Sequence, residues 1–335
     1  SVARIIAMAI LASIQKRKDK KSESDAFPVF LLGGENKYPL VSIIVPAYNE
    51  EVNAIRTMNS LLAQDYPELE IIFVDDGSKD KTFLRVNDAF KDNSTVRVYT
   101  KINGGKASAL NFGIQKSNAE YVVCIDADTQ LKTDAITLLM KKFENESVGA
   151  VAGNVKVGNE MNMITKWQSI EYITSQNFDR RAFDLLNCIT VIPGAIGAFS
   201  KDAILISGGF TTDTLAEDCD LTMRLLRNGY IVRNCTEAIS YTEAPETFKQ
   251  FLKQRFRWSF GVMQCFWKHR DTIFNPKYKN FGMIAMPNIF VYQILIPILA
   301  PLADIILVFS FLLASLSIFV ASIPHLLFSC FIFTI

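Results

Sequence analysis

The sequence predicts an α/β fold with a mainly parallel sheet, and three observations support this prediction. Short runs rich in β-branched residues alternate with helical stretches at intervals of about 30 residues from position 41 onward. Each of these runs is followed by Asn, Asp or Gly, which favour turns. From position 281 the sequence changes and becomes almost wholly apolar. We therefore expect an α/β domain followed by apolar helices.

The first 14 residues, SVARIIAMAILASI, are apolar but too short to cross a bilayer, which takes about 20 residues. The basic run QKRKDKK follows them. We interpret residues 1–20 as the end of an N-terminal transmembrane helix with a basic flank that faces the cytoplasm. A cleaved signal peptide is the alternative, although its charges would precede the apolar run. Residues 21–40 are predicted to be a linker.

Residues 41–245 carry the alternating pattern. The predicted strands are VSIIVPAYNE, EIIFVDDGS, VRVYT and YVVCIDAD, and helical stretches between them include EEVNAIRTMNSLLAQ and GGKASALNFGIQKS. Ligands of parallel sheets bind at the carboxyl ends of the strands. The acidic residues of these segments fall at those ends, so we expect the site there.

The C-terminal part divides into residues 246–280 and residues 281–335. The first segment interleaves aromatic residues with Lys and Arg, which is typical of an amphipathic helix at a membrane surface. The second has one formal charge, Asp304, and enough apolar length for two membrane spans of about 20 residues each. Pro297, Pro301 and Pro324 leave the helix boundaries open.

Composition excludes several function classes. The net charge of +1 argues against nucleic acid as a partner. The six cysteines have no CxxC spacing, which indicates reduced thiols and no zinc site. Two histidines make a Ser/His/Asp triad or a histidine metal site improbable. Dinucleotide-binding and P-loop motifs are absent from the sequence.

Closely spaced acids are the main chemical signal. Asp126 and Asp128 close one strand, and carboxylates at this spacing can bind Mg²⁺ or Mn²⁺ together with substrate phosphates. The alternative for this pair is an Asx turn with solvated aspartates. The segments VDDGS and LAEDCDL add further acids.

Seven segments in order resemble one family: VSIIVPAYNEE, VDDGSKDKT, GGKASALNFGI, CIDADTQL, PGAIGAFSKDAI, LAEDCDLTMRLLRNGY and QRFRW. They are similar to the processive, membrane-embedded family 2 glycosyltransferases, which make cellulose, chitin, hyaluronan and poly-N-acetylglucosamine. The closest likeness is to poly-β-1,6-N-acetylglucosamine synthases. The resemblance implies a GT-A fold, a UDP-sugar donor, and inversion at the anomeric carbon.

The resemblance also implies roles on the donor side. Asp126 and Asp128 would hold the metal ion. Lys106 would lie near the nucleotide, although a solvated lysine at a helix start is the alternative for it. The residues implied to contact the nucleotide-sugar are Ala47, Tyr48, Glu50, Asp75, Asp76, Lys106, Asp126 and Arg257.

On the acceptor side, AEDCD resembles the TED motif of the family, with Ala216 in the Thr position. Asp218 is then the implied general base, which would remove the proton of the acceptor hydroxyl. Glu217 and Asp220 have an alternative role as charges that favour a helix N-terminus. The implied acceptor contacts are Gly194, Gly197, Glu217, Gln254 and Trp258.

The predicted function is polymerisation of a UDP-sugar, with UDP-GlcNAc preferred, and export of the polysaccharide through the transmembrane helices. The predicted location is the inner membrane, multi-pass, with the catalytic domain facing the cytoplasm and with room for accessory membrane or export subunits. Two rivals are transfer of one sugar to a polyprenyl phosphate and a nucleotide-sugar receptor without turnover. QRFRW and the apolar C-terminus argue against the first, and the acidic motifs argue against the second.

Overall fold

The computed structural model describes residues 2–22 and 38–315. Within these residues eight strands form one mixed sheet in the order β3-β2-β1-β4-β7-β6-β8-β5. The strands are β1 (Val41–Ala47), β2 (Leu69–Asp75), β3 (Val96–Thr100), β4 (Tyr121–Cys124), β5 (Gln130–Leu131), β6 (Val148–Val157), β7 (Gly197–Ser200) and β8 (Ile231–Thr242).

Helices cover both faces of the sheet and form the C-terminal part. They are α1 (Val2–Ser22), α2 (Ala54–Leu62), α3 (Thr82–Phe90), α4 (Lys106–Lys116), α5 (Ala135–Met140), α6 (Met163–Ile173), α7 (Arg180–Leu185), α8 (Lys201–Ile206), α9 (Glu217–Arg227), α10 (Phe248–Lys268), α11 (Met286–Ile289) and α12 (Ile296–Ser315). Wider π-helical turns at Thr174–Asp179, Phe281–Ala285 and Phe290–Leu295 join some of them, and short 3₁₀ turns form at Arg270–Thr272 and Pro276–Tyr278.

The centre of the sheet confirms the predicted parallel core. Strand β1 lies between β2 and β4 and runs parallel to both. Every residue of β1 is buried, as expected of a strand with helices on both faces. Because side chains alternate along a strand, Ile43 packs into one apolar core and Ile44 into the other.

Beyond β4 the sheet becomes mixed. Strand β7 pairs antiparallel with both β4 and β6. The carboxyl ends of β1, β2 and β4 therefore lie at one edge, while β7 begins at that edge. This geometry gathers the segments after β1, β2 and β4 with the loop that precedes β7.

Helix α1 differs from the sequence expectation. It is one continuous helix that includes the basic run, and part of it docks on the α/β domain. Met8 and Ala12 are buried beside Ala182 of α7. The amide of Gln15 donates to Asp184 Oδ2 at 3.1 Å, and Asp19 lies 3.2 Å from Lys142 Nζ. These polar contacts attach the segment expected to be a flank directly to the domain.

The C-terminal segment partly meets the expectation. Within the described part of the chain, one helix, Phe281–Ser310, is long and apolar enough to cross a membrane. Its first residues, including Phe281, Met286 and Ile289, are buried against the domain, and its most apolar 18-residue window has no buried residue. Most of the predicted linker and residues 316–335, which include the end of the second predicted span, lie outside the described residues. Helix α10 exposes an apolar stripe with helical spacing, consisting of Phe248, Leu252, Phe256, Phe260, Met263 and Trp267.

The contact of α4 with β1 depends on Gly113. A Cβ at this position would overlap Ile44 Cγ2 and lie 3.4 Å from Val74 Cγ2. We expect Gly113→Ala to lower the free energy of unfolding by about 1–3 kcal/mol, because overpacking a well-filled core outweighs the helix preference of Ala.

Gly158→Ala is the matched control, because the nearest atom to its added Cβ, Thr242 O, would lie at 3.5 Å. Thermal unfolding of the detergent-solubilised protein measures both variants. Equal midpoints for the two variants would contradict this account of the α4 interface.

Candidate active site

Asp76 holds the loop that begins the site. Its carboxylate accepts hydrogen bonds from Gly105 N at 2.7 Å, from Gly104 N at 3.0 Å and from Lys101 Nζ at 2.6 Å. The Asp76 side chain is only 4% exposed, so these donors satisfy it. The loop leads directly into α4, and Asp76 thereby fixes where Lys106, the first residue of α4, begins.

Asp75 has a similar local role. Its Oδ2 accepts from Thr100 Oγ1 at 2.8 Å and from Ser78 N at 3.3 Å, and the residue is buried. The structure thus gives both acids of VDDGS contacts within the protein. Their predicted contact with the nucleotide stays a prediction.

The loop after β1 interlocks with the loop after β2. Asn49 adopts φ +57°, its N donates to Ser78 Oγ at 2.9 Å, and its Oδ1 accepts from Lys79 N at 2.8 Å. Ala47 is buried next to this turn, whereas Tyr48 is 43% exposed. The exposed Tyr48 ring is therefore available at the carboxyl end of β1.

Lys106 lies at the centre of an acidic cluster, which we define as Asp126, Asp128, Glu217 and Asp218. Its Nζ lies 2.5 Å from Asp126 Oδ1 and 3.5 Å from Glu217 Oε1. Burial alone would lower the pKa of Lys106, but the three negative charges of Asp126, Glu217 and Asp218 outweigh it and raise the pKa. Lys106 therefore stays protonated.

Negative charge remains crowded around Asp128. Its Oδ1 accepts weak hydrogen bonds from Thr129 Oγ1 at 3.2 Å and Thr242 Oγ1 at 3.3 Å. Burial and the charge of Asp126 raise the pKa of Asp128 to about 6. Burial and the charge of Asp128 likewise raise the pKa of Glu50 to about 7. The site accordingly favours an added positive charge.

Asp218 occupies the first turn of α9, where its Oδ1 accepts from Cys219 N at 2.7 Å. Burial, followed by the charge of Glu217, raises the pKa of Asp218 to about 6, although Lys106 opposes the shift. A carboxylate with a pKa near neutrality is suited to accept a proton.

Asp220 of the same motif has a different role. It is fully buried, and its oxygens lie 2.8 Å from Arg224 Nε, 2.9 Å from His269 Nε2 and 2.9 Å from Lys268 Nζ. Burial alone would raise the pKa of Asp220, but these partners lower it. Asp220 thus joins α9 to the end of α10.

The two glycines predicted to contact the acceptor have different surroundings in the structure. Gly194 lies against the acidic cluster, since a Cβ there would overlap Lys106 Nζ and lie 3.4 Å from Asp126 Oδ2. Gly197 lies within β7, is buried, and the space for a side chain is filled by Ile192 and Phe199. The packing of β7 thus accounts for this glycine, and its predicted contact with the acceptor stays a prediction.

Helix α10 brings QRFRW to the site. Its Gly261 packs against Ala216, where an added Cβ would lie 2.7 Å from Ala216 Cβ, and Gln264 Oε1 accepts from Leu215 N at 2.9 Å. The small Ala216 in the motif thus fits the close approach of α10. The ring centroid of Trp258 lies 6.3 Å from that of Tyr172 in α6.

The other two predicted residues of α10 differ in environment. Arg257 is exposed, and no hydrogen bond or ion pair to it occurs among the residues that the structure describes. The Oε1 atom of Gln254 is buried without a hydrogen-bond partner in the same part of the chain. Both side chains have unused hydrogen-bonding capacity.

The structure adds two residues that no sequence motif marks. Arg180 Nη1 donates to Gly153 O at 3.0 Å. Burial lowers the pKa of Arg180 to about 10, and the charge of Asp218 opposes this shift, which places the guanidinium near the acidic cluster. Tyr172 is the second residue. Neither residue could be found from the spacing of the motifs, because none of the seven segments includes the helices on either side of the π turn at Thr174–Asp179.

Comparison with known proteins agrees with this geometry. Residues 42–205 match Glycosyl transferase family 2. The poly-beta-1,6-N-acetyl-D-glucosamine synthase of Staphylococcus epidermidis is 34% identical over 232 residues, which cover 68% of this chain and 56% of that protein. The synthase of the same name from Staphylococcus aureus (strain COL) is 32% identical over 244 residues, which cover 72% and 59%. The matched region thus spans less than two thirds of these relatives.

A solved structure shows the same fold. It is the mannosyltransferase PcManGT from Pyrobaculum calidifontis in complex with GDP-Man and Mn²⁺, with a TM-score of 0.64 and 23% sequence identity. The likeness covers 87% of this chain and 81% of that one. Residues 42–205 therefore form a domain that matches glycosyl transferase family 2, and this solved structure agrees with that match in fold.

Proposed function

We propose that the chain is an inverting, processive β-glycosyltransferase that polymerises UDP-GlcNAc into an extracellular polysaccharide. One observation carries this proposal: Lys106 joins Asp126 of the strand end to Glu217 beside Asp218, so a donor-binding pair and a candidate base share one site. The names of the staphylococcal relatives support the polysaccharide and the donor.

The donor set of the site fits a divalent cation. Among the described residues, no group of three or more Asp, Glu, His or Cys side chains is arranged to bind a metal ion by itself. Asp126 and Asp128 offer hard carboxylate oxygens, and Mg²⁺ or Mn²⁺ commonly binds one or two carboxylates together with substrate phosphates. Burial and the charge of Asp126 raise the pKa of Asp128, so an added cation would favour its ionised form. A bound cation would supply Lewis-acid neutralisation of the diphosphate leaving group.

The chain's own cations would share that task. Lys106 remains protonated inside the acidic cluster and would donate to a diphosphate oxygen. Arg257 would bring a planar set of donors suited to phosphate. Tyr48 is exposed at the end of β1 and would contact the uracil ring together with Ala47 and Glu50. Asp75 and Asp76 would hold the loops that form the nucleoside-binding part of the site.

On the acceptor side, Asp218 would accept the proton of the sugar hydroxyl as that oxygen attacks the anomeric carbon from the face opposite the diphosphate. The attack forms the new C–O bond while the bond to the diphosphate breaks, which inverts the configuration. Lys106 and Arg180 favour the ionised form of Asp218 before the proton is transferred. Gly194, Glu217, Gln254 and Trp258 would contact the acceptor.

The apolar surfaces support a membrane location. The helix Phe281–Ser310 is apolar and has an 18-residue window without a buried residue, and α10, which contacts it through Phe266 and Phe290, exposes an apolar stripe. We propose that the protein lies in the inner membrane as a multi-pass protein, with the catalytic domain in the cytoplasm and α10 on the bilayer surface. Accessory membrane or export subunits would bind outside the described site.

Product length tests the proposal as a whole. Purified membranes supplied with radiolabelled UDP-GlcNAc should yield a polymer together with released UDP. A product limited to one sugar on a lipid, or UDP binding without release, would replace the proposal with the corresponding rival.

The role of Asp218 gives a prediction with a pH dependence. Asp218→Asn should lower the rate of transfer by about 10²–10⁴-fold, the usual contribution of a general base, while UDP affinity remains nearly unchanged. Only the ionised form of Asp218 accepts a proton. Because its pKa is raised to about 6, wild-type activity should fall as the pH drops through about 6, and a bound cation would move this limb lower.

Initial rates from pH 5 to 8 and UDP titrations measure these effects. The residual activity of Asp218→Asn should lack the acid limb. A comparable loss of UDP binding in this variant, or an unchanged acid limb, would remove Asp218 as the base.

The carboxylate pair predicts metal-dependent binding. EDTA should weaken UDP affinity by about tenfold or more, because lost contacts to a charged group cost on the order of 1.5–3 kcal/mol. Asp126→Asn and Asp128→Asn should reproduce this loss without EDTA. Asp271→Asn is the control, since Asp271 pairs with Arg227 away from the acidic cluster. UDP affinity that is insensitive to EDTA in calorimetry would contradict the metal assignment.

The two glycines give a matched pair. Gly194→Ala should weaken UDP-sugar use by displacing Lys106 Nζ, with little change in the unfolding midpoint, because the tip of a lysine can move. Gly197→Ala should instead lower the free energy of unfolding by about 1–3 kcal/mol, because its neighbours are core side chains. Steady-state kinetics and thermal unfolding of both variants measure the contrast. The opposite pattern would place Gly197 in the site.

A further inference from the structure

One ion pair joins α6 to α10 next to the acidic cluster. Both terminal nitrogens of Arg255 contact the carboxylate of Glu171, with the Nη2–Oε2 distance at 2.5 Å. The two residues are 84 positions apart in the sequence. This bidentate geometry fixes both the distance between the helices and the plane of the guanidinium.

The same guanidinium contacts Trp258. The Cζ atom of Arg255 lies 4.8 Å from the centroid of the Trp258 ring and 4.8 Å from that of Phe251. Such cation–π distances restrict where the indole can lie. Trp258 is 37% exposed, so part of the indole is free to contact a ligand.

The indole also lies close to Tyr172, the neighbour of Glu171, with 6.3 Å between the ring centroids. The two ring planes are inclined by 33°, and Tyr172 is 7% exposed. Burial is the main cause that raises the pKa of Tyr172 to about 12. The positive charge of Arg255 opposes this shift, whereas the negative charges of Glu171, Asp128 and Asp126 increase it. The charges of Asp126 and Asp128 thus act on Tyr172 through space.

The Glu171–Arg255 pair contributes little to folding. The side chains are 24% exposed at Arg255 and 35% exposed at Glu171, and partly exposed ion pairs contribute about 0–1 kcal/mol. Its consequence is therefore geometric: it determines the position of Trp258 relative to Tyr172 and to the aspartates.

We propose that the Glu171–Arg255 ion pair is a positioning contact that holds Trp258 beside Tyr172, and that it sets how many sugars are added before the polymer is released. This inference rests on the proposed polymerase function. A processive enzyme must retain the end of the growing chain between additions. Sugar rings stack on aromatic faces, so a Trp258 that leaves its position would release the chain earlier while donor binding continues.

The test compares Glu171→Gln, Arg255→Gln and the double variant in the full chain. Each should shorten the polymer by about threefold or more at equal UDP release, because a contact of about 0.5–1 kcal/mol changes a partition ratio by roughly this factor. UDP affinity should stay within about twofold of wild type. The polymer of the double variant should be no shorter than that of Arg255→Gln, because Glu171 acts on Trp258 through Arg255.

Asp271→Asn is the matched control. It removes a bidentate pair with Arg227, at 2.7 and 2.9 Å, that is also partly exposed and lies away from the proposed acceptor site. Polymer length should not change in this control. Shortening in Asp271→Asn equal to that in Glu171→Gln, or wild-type length in Glu171→Gln, would overturn the inference.

A second measurement does not depend on polymerisation. In a background with Trp167→Phe and Trp267→Phe, Trp258 is the only tryptophan, because the chain has three. Glu171→Gln should lower its fluorescence anisotropy, and unchanged anisotropy would overturn the positioning role. If the wild type makes only single-sugar products but anisotropy still falls in Glu171→Gln, the polymerase proposal fails together with its link to chain length. The positioning role of the ion pair would then still hold.

Discussion

Compensation of crowded negative charge is the constraint on which this site depends. The parallel strands lead to carboxylates at one edge of the sheet, and the first turn of α9 adds Glu217 and Asp218 to them. Lys106 contacts Asp126 and Glu217, so one ammonium group joins these two sources of charge. It leaves Asp128 with a raised pKa, and the remaining charge is what a divalent cation would neutralise. Lys106 and the proposed metal ion would therefore neutralise different carboxylates of the same acidic cluster.

The position of that lysine is determined by a chain of local contacts. Strand β2 ends at Asp75, and the following Asp76 binds the backbone amides of Gly104 and Gly105. Gly105 has φ +85°, which glycine adopts without strain, and Lys106 follows as the first helical residue. The buried carboxylate of Asp76 therefore determines where Lys106 lies through the loop that it holds.

The sequence predicted the parts of this arrangement that depend on local pattern. The runs ending in Asp75 and Cys124 became β2 and β4, and Asp126 and Asp128 follow β4 at the edge where the other parallel strands end. The close packing around Gly197 could not be predicted, because a glycine needed by core packing looks the same in sequence as one needed by a ligand. The docking of α1 was missed because it depends on contacts such as Gln15 with Asp184, which are 169 residues apart. No periodicity encodes such a pairing.

Helix α9 shows how one motif serves two purposes. Residues two apart on a helix point in nearly opposite directions, since each residue turns by about 100°. Asp218 can therefore face the acidic cluster while Asp220 turns to Lys268 and His269 at the end of α10. Helix α10 in turn carries Trp258 to Tyr172. Through Lys268 and His269, Asp220 thus helps to hold the helix that carries Asp218 against the helix that carries Trp258.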